Sequence, residues 1–205
     1  MVRFTLWAVG MVGIVLLLLY RFALDVWTVP ADDPLLAASI APTLDPGDVV
    51  VLTRHPAVAH GNLMRCPDPQ APGRFVVARA IAQGGETVSF ASEVPLVDGH
   101  HTPSPRACEP QSVVVRAPGS DQDVQLACSV EEFGEMDFSV LSSGNFPRAS
   151  TTTPRMVDPG TWFLVSDNRH FPLDSRDYGA IDPARCQHVV ARIKGREGIG
   201  ASILW

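Results

Sequence analysis

The pattern of apolar and polar positions divides the chain into one long apolar run near its start and a series of short runs separated by turn residues. Residues 4–20 hold no charged side chain, include Val15-Leu16-Leu17-Leu18-Leu19, and lie between Arg3 and Arg21. Extended by Phe22, Ala23 and Leu24, with Arg21 reaching back to the interface, a helix of this length matches the ~30 Å apolar core of a bilayer. The run therefore predicts a membrane anchor over residues 1–24. A cleaved signal peptide is the rival reading. Its apolar stretch is about 7–15 residues and is followed by a small-residue cleavage site, and none stands near residue 25. One arginine at each end encodes the orientation only weakly.

Beyond a polar, proline-containing link over residues 25–36, the apolar runs shorten to strand length. They are Val49-Val50-Val51-Leu52, residues 75–82, residues 87–90, and the pair Val113-Val114-Val115 and Val124-Gln125-Leu126, which reads as a hairpin. Leu96-Val97-Asp98-Gly99 carries a hairpin-turn pattern, and residues 160–169 run from a strand into a polar loop. Eighteen prolines and sixteen glycines scattered among these runs predict many turns, hence a mainly β fold with little helix. The 205 residues suffice for one domain of roughly 150–180 residues plus the anchor. Residues 101–155, rich in Pro, Ser and Thr, read as a β-rich insertion into a core formed by 25–100 and 156–205.

Charge and cysteine content narrow the partners. A formal net charge of −6, with basic residues spread along the chain, gives no stripe for a phosphate backbone and argues against nucleic acid. No CxxC or HxxxH spacing appears, and adjacent His100 and His101 in a loop are a weak metal signal, so no metal or cofactor is expected. Cys108 and Cys128 flank the proposed hairpin and are favoured as a disulfide; Cys66 and Cys186 either pair or stay as thiols, and spacing leaves three connectivities open.

Candidate chemistry centres on Ser39-Ile40-Ala41-Pro42-Thr43-Leu44-Asp45-Pro46-Gly47-Asp48, just before the first β-branched run. A serine ahead of a proline-pinned turn is expected at the mouth of a sheet edge, where a nucleophile can sit; alone, it reads as an ordinary turn residue. About fifteen residues of chain beyond the anchor, at up to about 3.5 Å each, hold it near the membrane. Residues 166–179 bring Asp167, Arg169, Asp174 and Arg176 together at a strand end, a spacing suited to ion pairs that shape a site wall.

Together these blocks resemble type I signal peptidases, membrane-anchored serine proteases that remove signal peptides outside the cytoplasm. In that family an S-M-x-P-T-L-x-x-G-D box carries the nucleophile; residues 39–48 match it, with Ile40 in the methionine place. A K-R-x-x-G-x-P-G-D box carries the general base, and residues 78–86 lie on it. The G-D-N-R-x-N-S-x-D-S-R-x-[WY]-G box lies on Ser166-Asp167-Asn168-Arg169-His170-Phe171-Pro172-Leu173-Asp174-Ser175-Arg176-Asp177-Tyr178-Gly179. The resemblance implies an antiparallel β-sheet domain behind one transmembrane helix, single-pass in the inner membrane, with the main domain on the periplasmic side.

The departures bear on chemistry. A serine hydroxyl needs a base, and the family's is a desolvated lysine, or histidine in a related branch; here Ala78 stands in its place and the only lysine is Lys194. Pro172 replaces the serine that neighbours the lysine amine, and Ala37 replaces a hydroxyl residue of the oxyanion site, a loss of about 3 kcal/mol of transition-state stabilisation. The expected function is a pseudoprotease that binds an extended peptide or signal peptide, or serves as a subunit of a membrane assembly, with Ile40, Ala41, Val76 and Val77 lining the groove. The alternative is an active signal peptidase with His170 as substitute base, or with an engineered change at position 78. In either case the resemblance assigns Pro42, Arg79, Asn168 and Ser175, beside the ion-pair residues, to the site walls.

Overall fold

The computed structural model describes residues 2–54, 57–100, 103–133, 136–144, 152–195 and 198–204, with backbone alone for 2–6, 16, 19–22, 103–107, 194 and 198–203. The long apolar run lies in helix α1 (Val2–Ala23). Among the described residues no helix is long and apolar enough to cross a membrane; the anchor expected over residues 1–24 falls partly on side chains outside them.

Residues 25–36 are not a link. Strand β1 (Leu24–Thr28) begins directly after α1 and pairs antiparallel with β2 (Val49–Thr53), from Leu24↔Thr53 to Thr28↔Val49. Trp27 anchors this edge strand by packing against the core while Val26 stays exposed. Asp25, Asp32, Asp33 and two prolines dominate the composition of residues 25–36 and mask the short strand within them.

The main sheet runs β1-β2-β12-β3-β4-β11, with β13 (Gly198–Ile203) off β12 (Gln187–Gly195); β3 is Leu63–Pro67, β4 Phe75–Gln83 and β11 Trp162–Val165. Strand β4 is buried on both faces from Val76 to Ala82, so the pleat sends alternate residues into different cores. Val76, Ala78 and Ala80 join Met64, Cys66, Trp162, Leu164 and Leu173. Val77 joins Leu36, Ile40, Leu44, Val50 and Leu52. Each fully buried aliphatic side chain of these clusters contributes about 1.5–3 kcal/mol.

Two further three-stranded sheets complete the fold. One is β10-β5-β6, from β10 (Arg155–Met156), β5 (Thr87–Ala91) and β6 (Val94–Val97). The turn from β4 into β5 lies so close to residues 158–160 that a Cβ on Gly84 would sit 2.7 Å from the Asp158 carbonyl oxygen. The other sheet is β7-β8-β9, from β7 (Pro103–Arg116), β8 (Asp123–Phe133) and β9 (Met136–Ser142), and its hairpin pairs Val113↔Leu126 and Val115↔Val124. Disulfides join Cys66 to Cys186 and Cys108 to Cys128. The chain is thus mainly antiparallel β, with little helix besides α1.

Candidate functional site

Ser39 does not sit at a sheet edge. It lies in the last turn of helix α2 (Pro34–Ile40), whose start is set by the Asp33 carboxylate accepting from Leu36 N at 3.0 Å and by Pro34 in the first turn. That Asp-Pro pair was a helix-start signal available in the sequence. The serine is fully buried, and its hydroxyl donates to the Leu36 carbonyl at 2.9 Å, one turn back. Such back-bonding is the ordinary use of a serine inside a helix. The helix stops at Ala41, where the Ala41–Pro42 peptide is cis.

Ala78 is also fully buried, within the cluster of Met64, Trp162 and Leu164. Leu35, four residues before Ser39 and so on the same face of α2, packs against that cluster. The fold therefore turns the serine's helix face toward the cluster that contains Ala78, which presents only a methyl group. The Lys194 side chain lies outside the described residues. His170, the candidate substitute base, is engaged elsewhere: its Nδ1 is 3.1 Å from Glu93 Oε1, and its ring packs edge-on against Phe171.

The sequence reading missed His188. Register places it opposite Met64 on β3, which is opposite Ala78 on β4, so all three share one sheet face. Burial, and secondarily the Arg79 charge, pushes its pKa below the ordinary histidine value, and its buried Nε2 has no hydrogen-bond partner among the described residues. Only strand order reveals this placement, since 110 residues of sequence separate positions 78 and 188.

Arg79, on the opposite face of β4 from Ala78, holds the site together from beneath. Its guanidinium pairs with Asp167, Nε to Oδ1 at 3.1 Å, donates to Gly61 O at 3.0 Å, and lies 4.4 Å from the Phe138 ring centroid. Thr43, in the turn after α2, donates to the same Asp167 carboxylate. One buried carboxylate thereby ties β4, the Pro42 turn and the loop after β11.

Residues 166–169 join α2 to the third sheet. Asn168 donates from Nδ2 to Ala38 O at 2.9 Å and from its backbone N to Ser39 O at 3.1 Å. On the other side Leu141 N donates to Asp167 O and Arg169 N to Leu141 O, a parallel bridge onto β9. Arg169 is buried against Glu131 of β8, with its Nε and Nη1 without hydrogen-bond partners among the described residues. The expected pairing within the loop therefore holds only for Asp174 and Arg176, at 2.7 Å; Asp167 and Arg169 each reach to another strand. Asp174 also accepts from Ser166 N, and the Ser175 hydroxyl accepts from Leu164 N at 3.0 Å, so both side chains serve the loop's shape. Pro172 is half-buried at the bend. Tyr178 packs below, its phenol pushed above the ordinary tyrosine range by burial first and then by Asp174.

An open cleft of about 950 Å³ runs past this assembly. Ala37, Ala38, Ala41 and Pro42 form one wall, residues 113–116 of β7 line another part, and Arg79 and Phe138 also border it. The groove lining expected from Ile40, Val76 and Val77 is not found: β4 is covered on both faces, Ile40 of α2 packs on the Val77 side, and each of the three is at most 2 % exposed. Ser39 and Ala78 likewise lie behind the wall. Among the described residues no group of His, Cys, Asp and Glu side chains is gathered to hold a metal ion.

Comparison with known proteins agrees with the motif boxes. No curated protein matches the chain. Among solved structures, a signal peptidase I from Enterococcus faecalis V583 is similar over 66% of this chain and 97% of its own, at 18% identity and a TM-score of 0.39. The family model described as signal peptidase, peptidase S26, matches residues 2–194. With nearly the whole chain under that match, the protein belongs to the signal peptidase family, peptidase S26.

Proposed function

We propose that this chain is a non-proteolytic member of the family: a membrane-anchored domain that holds an extended peptide, or a strand of a membrane-protein partner, without cutting it. The observation that carries the reading is the pairing of a buried Ser39 hydroxyl, committed to Leu36 O, with a methyl group at position 78. Serine catalysis needs a base within hydrogen-bond reach of the hydroxyl and a path for substrate to it. Ala37 at the oxyanion position and Pro172 in the last box support the same conclusion. The uncharged run over residues 4–20 supports the anchor. Two disulfides support an oxidising compartment, hence a domain on the extracytoplasmic side of the inner membrane.

The test is incubation of the full chain, in detergent, with a signal-peptide-bearing substrate beside Ser39→Ala. Neither is expected to cleave, and both are expected to retain the substrate in a pull-down. Cleavage by the native chain that disappears in Ser39→Ala would overturn the reading.

A further inference from the structure

We propose that Cys108–Cys128 is an exchangeable disulfide, a latch on the cleft wall that a dithiol entering the cleft opens while Cys66–Cys186 stays closed. The two bridges differ in where they sit. Cys66 and Cys186 are 0% and 4% exposed, inside the cluster of Met64, Ala78 and Trp162, so a reductant meets them only when that core opens. Cys108 and Cys128 both line the cleft, and Cys128, half-buried, is the more exposed of the two. Exchange requires a thiolate to reach a sulfur, so access decides which bridge opens first. The site belongs to the cleft wall and does not depend on what the cleft holds.

Register shows what the bridge ties down. Ala107 pairs with Ser129 and Ser112 with Ala127, so residues 108–111 of β7 stand opposite Cys128 alone. Such an excess leaves the ladder and bows outward. The chain from Ala107 to Ser112 could extend to about 17 Å, against about 7 Å for the partner strand from Ala127 to Ser129. Glu109, Pro110 and Gln111 are exposed, and the first two border the cleft. Cys128 holds this slack at Cys108 while packing against the cluster of Ala38, Val115, Leu126 and Leu141. Beyond the bulge the ladder continues from Ser112↔Ala127 to Arg116↔Asp123, and Gln125 Nε2 donates to the Ser112 hydroxyl at 2.8 Å. Opening the bridge therefore frees the bulge and keeps the hairpin. The dithiol's thiolate attacks Cys128 Sγ, the Sγ–Sγ bond breaks, and Cys108 leaves as a thiolate and takes a proton. The reagent's second thiol then attacks the mixed disulfide, frees Cys128 as a thiol and departs as a disulfide, so that two electrons and two protons pass to the protein.

Dithiothreitol is the probe. The native full chain in detergent, held well below its melting temperature, is treated over a time course, quenched with N-ethylmaleimide and mapped by peptide mass spectrometry. Cys108 and Cys128 are expected to be labelled at least about tenfold faster than Cys66 and Cys186. The buried bridge serves as the clock for unfolding. Equal rates would mean that both bridges wait on it and would overturn the proposal, as would faster labelling of Cys66 and Cys186 or no labelling of Cys108 and Cys128. Hydrogen exchange of the Cys108→Ser/Cys128→Ser variant then tests the latch. Amides within residues 109–112 are expected to exchange faster than in the native chain, with β4 as protected as before. Unchanged exchange in the bulge overturns the latch, and lost protection in β4 makes the bridge a staple of the whole domain and overturns it equally.

Discussion

Restoring the lysine at position 78 tests whether the base pocket has been filled. The site is fully buried among Met64, Trp162, Leu164 and Leu173. A lysine there must first displace its neighbours, at about 1–3 kcal/mol for an overpacked core. It must also stay neutral, which at pH 7 costs about 4–5 kcal/mol relative to an unfolded chain whose lysine titrates near 10.4. For a chain of this size each kcal/mol corresponds to about 2–4 °C, so Ala78→Lys is expected to melt at least ~10 °C below the native protein at pH 7. Ala78→Met supplies the volume without the charge and isolates the second cost. Because the folded-state pKa is depressed, the unfolded chain binds more protons, and stability must rise with pH by about 1.4 kcal/mol per unit between the two pKa values. Differential scanning fluorimetry at pH 7 and pH 9, each relative to the native chain, should show the lysine variant recovering and the methionine variant unchanged. A lysine variant that melts with the methionine control at pH 7 and shows no pH trend refutes the argument. Position 78 would then be wet or partnered, and the family's base could be restored there by one substitution.

Three other outcomes are expected. Asp167→Asn leaves the Arg79 charge buried without its partner and frees the Thr43 turn; it should cost about 3–5 kcal/mol in a urea or thermal melt, while Arg176→Ala, which removes a partly exposed partner of Asp174, should cost less. His188, with its pKa lowered by burial and then by Arg79, favours the unfolded state only when protons bind there: stability should be flat above about pH 6.5 and fall below it. His188→Gln should flatten that fall in melts taken across the acid range. Opening Cys66–Cys186, with a sequence separation of 120, should cost about 5 kcal/mol, against about 3 for Cys108–Cys128 with 20, measured on the paired Cys→Ser variants.

The strands were the legible part of this fold. The runs at 49–52, 75–82 and 87–90 became β2, β4 and β5, because β-branched clusters bounded by Gly and Pro carry a local signal. The Val113 and Val124 runs paired as the hairpin their spacing suggested. What escaped was local structure with weak or conflicting cues. Residues 25–36 looked like a link because Asp25, Asp32, Asp33 and two prolines dominate their composition, yet they hold an edge strand and the start of α2. At the site, motif boxes identified the positions but not their orientation. Whether Ile40 and Val77 faced a groove or a core depended on which face of β4 received α2, a tertiary fact. His188 needed strand order, and the cleft's β7 wall needed the docking of the β7–β9 sheet, whose own sequence carries no trace of what it packs against.

That docking has a mechanical consequence. Through the Leu141–Asn168 bridge, β9 has taken up the backbone groups of the loop that also holds the Ala38 and Ser39 carbonyls, and Ala38 is buried against Val115, Leu126 and Leu141. The β7–β9 sheet is therefore tied into the same loop that holds the end of α2. Removal of β7–β9 would uncover Ala38 of α2 and leave Asp167 O and Arg169 N without partners. The two features lean on one another: a lysine placed at position 78 alone would leave Ser39 walled in, and removal of β7–β9 alone would unmake the loop that holds the end of α2.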